Sequence, residues 1–228
     1  MKTLLSDFID NKTVRIIMKK IYILSLVSVV LIGLGTVFAF QWVNNAPPIG
    51  YAVGDEVIDF RLKSTSGQLV SMADNRNVKG YIIVFTCNHC PFSKAYESRI
   101  MALDRKYAGM GFPVLAINPN DPNAYEEDSF ENMQLVAKSK NYSFAYLQDE
   151  TQEVSKAFGV TRTPSAFVVK REGNRFIMQY IGAIDDNVQD SNSVTKRYVE
   201  DAVSNILSGK PVIMTTTKSL GCAVKWKS

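Results

Sequence analysis

Residues 81–97 read YIIVFTCNHCPFSKAYE. Tyr81 to Phe85 is an unbroken apolar run, the pattern of a strand covered on both faces. Phe92, Tyr96, Ile100, Leu103 and Tyr107 then recur at intervals of 4, 4, 3 and 4, which predicts a helix with one apolar face, stopped around Gly109 and Gly111. Cys87-Asn88-His89-Cys90 fills the turn between the two, with Pro91 at the first helical position, where a missing N–H costs nothing. Backbone N–H groups at a helix start and the helix dipole favour an anion. A thiol placed there is expected to have a lowered pKa and to spend time as the reactive thiolate. Cys87, at the exposed tip, is the expected attacking sulfur. Cys90, one helical turn along, is the expected resolving sulfur, close enough to bond to Cys87.

Other readings of the motif fare worse. A zinc site needs about four ligands, and His89 is badly placed between Cys87 and Cys90, with Cys222 far off in sequence. Haem attachment requires a histidine directly after the second cysteine, where Pro91 stands. His89 is the sole histidine, so copper delivery through a distant imidazole is excluded too. No metal and no cofactor are expected. An inert structural disulfide is the plainer alternative, but a bridge closing so short a loop constrains the unfolded chain little.

Outward from the motif, the pattern is mixed. Ile58, Phe60 and Leu62 alternate with polar residues as a half-buried strand, which turns at Ser66-Gly67 and returns through Leu69 to Met72. Phe112–Asn118 reads as a second buried strand. A helix from about Asp128 follows, with Glu131 completing an Asp-x-x-Glu capping box. Then come a strand near Phe144–Leu147, a short helix at Gln152–Phe158, and a hairpin of Ser165–Lys170 with Arg175–Ile181. Val194, Tyr198, Val199, Ala202, Val203 and Ile206 predict a last amphipathic helix. The fold class is α/β, a sheet with helices on both faces.

At the N-terminus, Ile21 to Phe40 carries no charge, and Lys19-Lys20 stand in front of it. As a helix that segment is about 30 Å long, enough to cross a bilayer. Val37-x-Ala39 also suits signal cleavage, so residues 1–40 read as an extension plus either a signal peptide cleaved near Ala39 or an anchor. Met18-Lys19-Lys20 resembles a start of its own. Either way the rest is expected to be exported, in the periplasm or elsewhere outside the cytoplasm, where disulfides persist. Residues 41–49 form a Pro- and Asn-rich linker, 50–211 the domain, and 212–228 a tail. The whole chain has 228 residues and a net charge of +4, too balanced for a nucleic-acid binder with a dense basic face. Three cysteines are too few for a disulfide-stapled scaffold.

Strand, Cys-x-x-Cys, helix, and then Thr163-Pro164 ahead of a hairpin resemble the thioredoxin superfamily. The segments VGDEVIDFRLKSTSGQLVSM, FTCNHCPFSKAYE, INPND, EDSFENM, DETQEVSKAFGV, TPSAFV, IGAIDDN and GCAVKWK together resemble its redoxin or peroxiredoxin-like branch, often labelled alkyl hydroperoxide reductase/thiol-specific antioxidant (AhpC/TSA). The likeness runs over roughly residues 50–227. It implies a thioredoxin-like fold: a central mixed sheet flanked by helices, an N-terminal β-hairpin, and an insert at Pro119–Gln148. It also implies that Pro164 is cis beside the active-site sulfurs and that Thr163 offers its backbone to a bound peptide. Peroxiredoxins of this branch carry Pro-x-x-x-Thr-x-x-Cys. Here Ile83 and Cys87 occupy those positions counted from Cys90, and Gly80 and Val84 counted from Cys87, so the peroxidase pattern is not met.

The expected activity is therefore thiol–disulfide exchange with protein thiols and disulfides through Cys87 and Cys90, coupled to a membrane or periplasmic redox partner. Membrane contact is expected only through residues 21–40. An atypical thiol peroxidase and a non-catalytic tethered binding module are the alternatives. His89 is either a support that stabilises the Cys87 thiolate or a solvated helix-start residue. Cys222 is either a third redox cysteine, a packed thiol anchoring the tail beside Trp226, or a site for an intermolecular bridge. Asp185-Asp186-Asn187 reads as a turn and helix start.

Overall fold

The computed structural model describes Lys19 and residues 50–227. Apart from Lys19, the extension, the apolar segment 21–40 and the whole of the linker 41–49 lie outside the described residues. Among the described residues, no helix is long and apolar enough to cross a membrane.

Eight strands form one mixed sheet: β1 (Glu56–Val57), β2 (Arg61–Ser64), β3 (Leu69–Ser71), β4 (Gly80–Phe85), β5 (Val114–Asn118), β6 (Ala145–Gln148), β8 (Ser165–Glu172) and β9 (Arg175–Gly182). Their order is β1-β9-β8-β4-β5-β6-β2-β3. β4, β5 and β6 run parallel, joined by α1 (Pro91–Tyr107) and α2 (Phe130–Ser139), as right-handed strand–helix–strand units require. β8 and β9 form the antiparallel hairpin, and β2 and β3 the N-terminal one. α3 (Glu153–Ala157) and α4 (Tyr198–Leu207) complete the layers. β7 (Arg162–Thr163) and β10 (Cys222–Ala223) make a separate two-stranded pair.

The two-residue period of a strand divides the core. Tyr81, Ile83 and Phe85 of β4 face a layer with Phe158, Phe167 and Val224, whereas Ile82 and Val84 face Tyr96, Ile100 and Leu103 of α1 and Val199 and Val203 of α4. Every residue of β4 is buried, as its unbroken apolar run predicts. Burying each such side chain contributes about 1.5–3 kcal/mol, so β4 is the stiff rod from which the motif projects.

Three element readings need correction. Ile58 is 76% exposed, because the strand begins only at Arg61. The helix expected from Asp128 starts at Phe130: the Ser129 hydroxyl accepts from Asn132 N at 3.3 Å, so Ser129 is the cap and Asp128 turns inward. Val194 stands outside α4 in extended backbone, after a 3₁₀ turn at Ser191–Ser193 that the Asp190 carboxylate caps.

Candidate active site

The motif leaves the C-terminal end of β4, and Cys90 is the N-cap of α1. The structure does not join Cys87 to Cys90. The disulfide runs from Cys90 to Cys222 across 132 residues, with the Cα atoms 6.1 Å apart, and Cys87 is a free thiol. The cause is the tail. It pairs as β10 against β7, Cys222 opposite Thr163 and Ala223 opposite Arg162, which brings Cys222 over the buried Cys90. Thr163 and Pro164 are joined by a cis bond. Thr163 therefore sits among all three sulfurs: its hydroxyl is 3.1 Å from Cys87 Sγ, its carbonyl oxygen 3.4 Å from Cys90 Sγ, and its backbone is in register with Cys222.

Cys87 is not at an exposed tip. It is only 4% exposed, and burial pushes its thiol up, with the Asp128 carboxylate adding in the same direction. Hydrogen bonds from Thr163, Ser93 and the Cys90 backbone pull the other way without prevailing. The thiol is therefore raised rather than lowered in this state, with burial the largest influence on it.

What holds the turn is an acid that sequence reasoning placed in a helix cap. Asp128 is fully buried, and its two oxygens accept four hydrogen bonds. Oδ1 takes Asn88 N at 2.6 Å and Asn118 Nδ2 at 3.2 Å; Oδ2 takes Asn120 Nδ2 at 2.8 Å and lies 2.6 Å from His89 Nδ1. A carboxylate only accepts, so Nδ1 carries the proton. The imidazole is stacked on Tyr125, ring centroids 3.9 Å apart at 4°. Asn88 donates from Nδ2 to Glu127 O at 2.6 Å and accepts from the Tyr146 hydroxyl at 2.9 Å. His89 is therefore a fixed part of the site, not a solvated helix-start residue. Asn118, Asn120 and Asp128 lie in the INPND and EDSFENM segments; a buried polar residue in a polar loop leaves no periodic trace.

Cys87, His89 and Asp128 bring a sulfur, a nitrogen and an oxygen within 4.8 Å of one another. Two of these donors are already committed to each other, and Asp128 is saturated by amides. The cluster is built as a hydrogen-bonded brace rather than as an open ligand set. Asp185 is structural: it is buried and accepts from Tyr96 OH at 2.9 Å and Arg99 Nη1 at 2.7 Å.

The AhpC/TSA family profile matches residues 53–174. The chain is 25% identical over 167 residues to the thiol-disulfide oxidoreductase ResA of Geobacillus thermodenitrificans (strain NG80-2), covering 72% of this chain and 86% of that one. A solved structure of a hypothetical protein from Sinorhizobium meliloti 1021 superposes with a TM-score of 0.72 at 33% identity, over 78% of this chain and 97% of the other. A putative thiol:disulfide interchange protein DsbE from Chlorobium tepidum shares the fold, with a TM-score of 0.51 at 19% identity over 69% of this chain and 99% of that one.

Proposed function

The chain belongs to the AhpC/TSA family of thioredoxin-like oxidoreductases, and we propose that it is an exported thiol–disulfide exchange enzyme in which three cysteines share one disulfide. The observation that carries this reading is the convergence of Cys87, Cys90 and Cys222 on Thr163. Cys87 is the attacking thiol. Cys90 is the sulfur common to the Cys87–Cys90 and Cys90–Cys222 bridges, and Cys222 is the third redox cysteine. Passing from one bridge to the other needs no outside reagent: the Cys87 thiolate attacks Cys90 Sγ and Cys222 leaves as a thiolate. Protein thiols and disulfides are the substrates, and Cys222, the half-buried sulfur of the three, is the one nearest to them. Segment 21–40 supplies export, by cleavage near Ala39 or by anchoring, and places the domain beside a membrane-side redox partner.

A peroxidase mechanism finds less support. The Cys87 thiol is flanked by the hydroxyls of Thr163 and Ser93, at 3.1 and 3.7 Å, with no arginine among its hydrogen-bond partners in the described residues. The test is turnover of a model protein disulfide by wild type, Cys87→Ser and Cys90→Ser, alongside hydrogen peroxide consumption. Exchange is expected to vanish in both variants, with a wild-type potential inside the span of about −270 to −120 mV known for such couples. Unchanged exchange in Cys87→Ser would shift the attacking role to the Cys90–Cys222 pair, and a wild type without exchange would leave a structural staple on a binding module. Peroxide consumption outpacing exchange would favour the peroxidase.

A further inference from the structure

The Arg162–Thr163 edge, where an extended peptide would pair, is filled by the chain's own tail. Arg162 Nη1 donates to Gly221 O at 2.8 Å, and Val224 N to Thr161 O at 3.1 Å. A Cβ on residue 221 would stand 2.0 Å from Thr163 O, so this strand lies closer than any side chain but glycine's allows. The tail is also held without its sulfur. Val224 is 5% exposed in the core, Lys225 N donates to Asn120 Oδ1 at 2.9 Å, Gln152 Nε2 to Lys225 O at 2.8 Å, and Lys227 N to Gln152 Oε1 at 2.8 Å. Access to Cys87 along this edge is closed.

Cys87 has another opening. It lines a cavity of about 230 Å³ between α1, α2 and β6, walled by Ile100, Val136, Tyr142 and Phe144. Lys94, Glu97 and Lys140 also line it. Lys140 Nζ is 3.0 Å from Glu97, whereas Lys94 makes no ion pair among the described residues, which leaves the lining with one uncompensated positive charge. The space suits a small molecule and excludes a folded chain.

We propose that this cavity is a binding site for a low-molecular-weight disulfide with an anionic end, which exchanges electrons with Cys87 while protein partners meet the Cys222 side. The proposal rests on the exchange reading above. The Cys87 thiolate attacks one sulfur of R–S–S–R, forming Cys87–S–S–R and releasing RS⁻. The Cys90 thiolate then attacks Cys87 Sγ, releasing the second RS⁻ and forming Cys87–Cys90. Attack of Cys222 on Cys90 Sγ regenerates the Cys87 thiolate and gives the Cys90–Cys222 bridge of the structure. Two cysteines are oxidised and one small disulfide is reduced to two thiols.

Three disulfides of similar size and different charge test it: 3,3′-dithiodipropionate, bis(2-hydroxyethyl) disulfide and cystamine. Each is mixed with the reduced full-length chain, quenched in acid and read by mass spectrometry. Dithiodipropionate is expected to react about tenfold faster than cystamine at low ionic strength, with the gap closing in salt and shrinking in Lys94→Glu. Val136→Trp, which fills the cavity, is expected to slow all three by about tenfold or more, while oxidation by a protein disulfide persists. Should Val136→Trp fail to fold, the surface change Lys94→Glu decides alone. Small-disulfide rates that ignore both substitutions, with protein exchange intact, would overturn the cavity site and leave the enzyme reading standing. A reduced chain that neither small nor protein disulfides oxidise would overturn both.

Discussion

The two ends of one four-residue turn are held by different physics. At Cys87-Asn88-His89 the restraint is polar: the buried Asp128 carboxylate takes the Asn88 N–H and lies against His89 Nδ1, is itself held by Asn118 at the end of β5 and by Asn120, and Tyr125 stacks on the imidazole. At Cys90 the restraint is covalent and apolar: a disulfide to a tail whose Val224 is sunk in the core. A polar brace fixes orientation, because each hydrogen bond is directional. A cross-link fixes distance and yields to a change in redox state. The free thiol thus sits on the side that stays put, and the bridged sulfur on the side that can let go.

Reduction is the strongest way to separate the two ends. Breaking a bridge that spans 132 residues is expected to lower stability by about 2–5 kcal/mol on chain-entropy grounds, read as a shift in the urea midpoint with and without reductant. An unmoved midpoint would mean that Cys222 is not bridged in solution. Next in size is Asp128→Ala, which strips acceptors from the Asn88 N–H, two asparagine amides and the His89 ring. A loss of about 3 kcal/mol is expected in the same assay, with the Cys90–Cys222 bridge still found by peptide mapping. Loss of the bridge as well would show that the two ends are not independent.

The smallest effect is a pH profile. The Cys87 thiol is held above its ordinary value by burial and by Asp128, so alkylation with the bridge intact is expected to climb about tenfold per pH unit through pH 7–9 without levelling near the usual thiol midpoint of about 8.5. The linkage has a matching sign. A thiol whose folded pKa is raised contributes stability that is complete below the unfolded value and lost as pH rises through the folded one. A plateau below pH 8 would show that the helix-start field, not burial, governs Cys87.

Much of the fold was legible from periodicity alone. The unbroken run Tyr81–Phe85 and the 4-4-3-4 spacing after it gave β4 and α1 with the motif between them, because burial on two faces or one imposes its own period on a chain. The apolar runs Ser165–Lys170 and Arg175–Ile181 likewise gave the β8–β9 hairpin. Three cysteines, one histidine and the Thr163-Pro164 pair were visible as candidates, and their residue types restricted the chemistry to sulfur exchange. Which sulfurs bond, and which thiol is left free and buried, belonged to the tertiary structure. Cys90 meets Cys222 because a strand 132 residues away pairs with Thr163, and the Cys87 pKa rises because side chains distant in sequence remove its water. Periodicity records which side of an element is buried. Partnership between buried polar groups depends on three-dimensional juxtaposition, and a one-residue offset at Ser129 was enough to turn Asp128 from an apparent helix cap into the brace of the site.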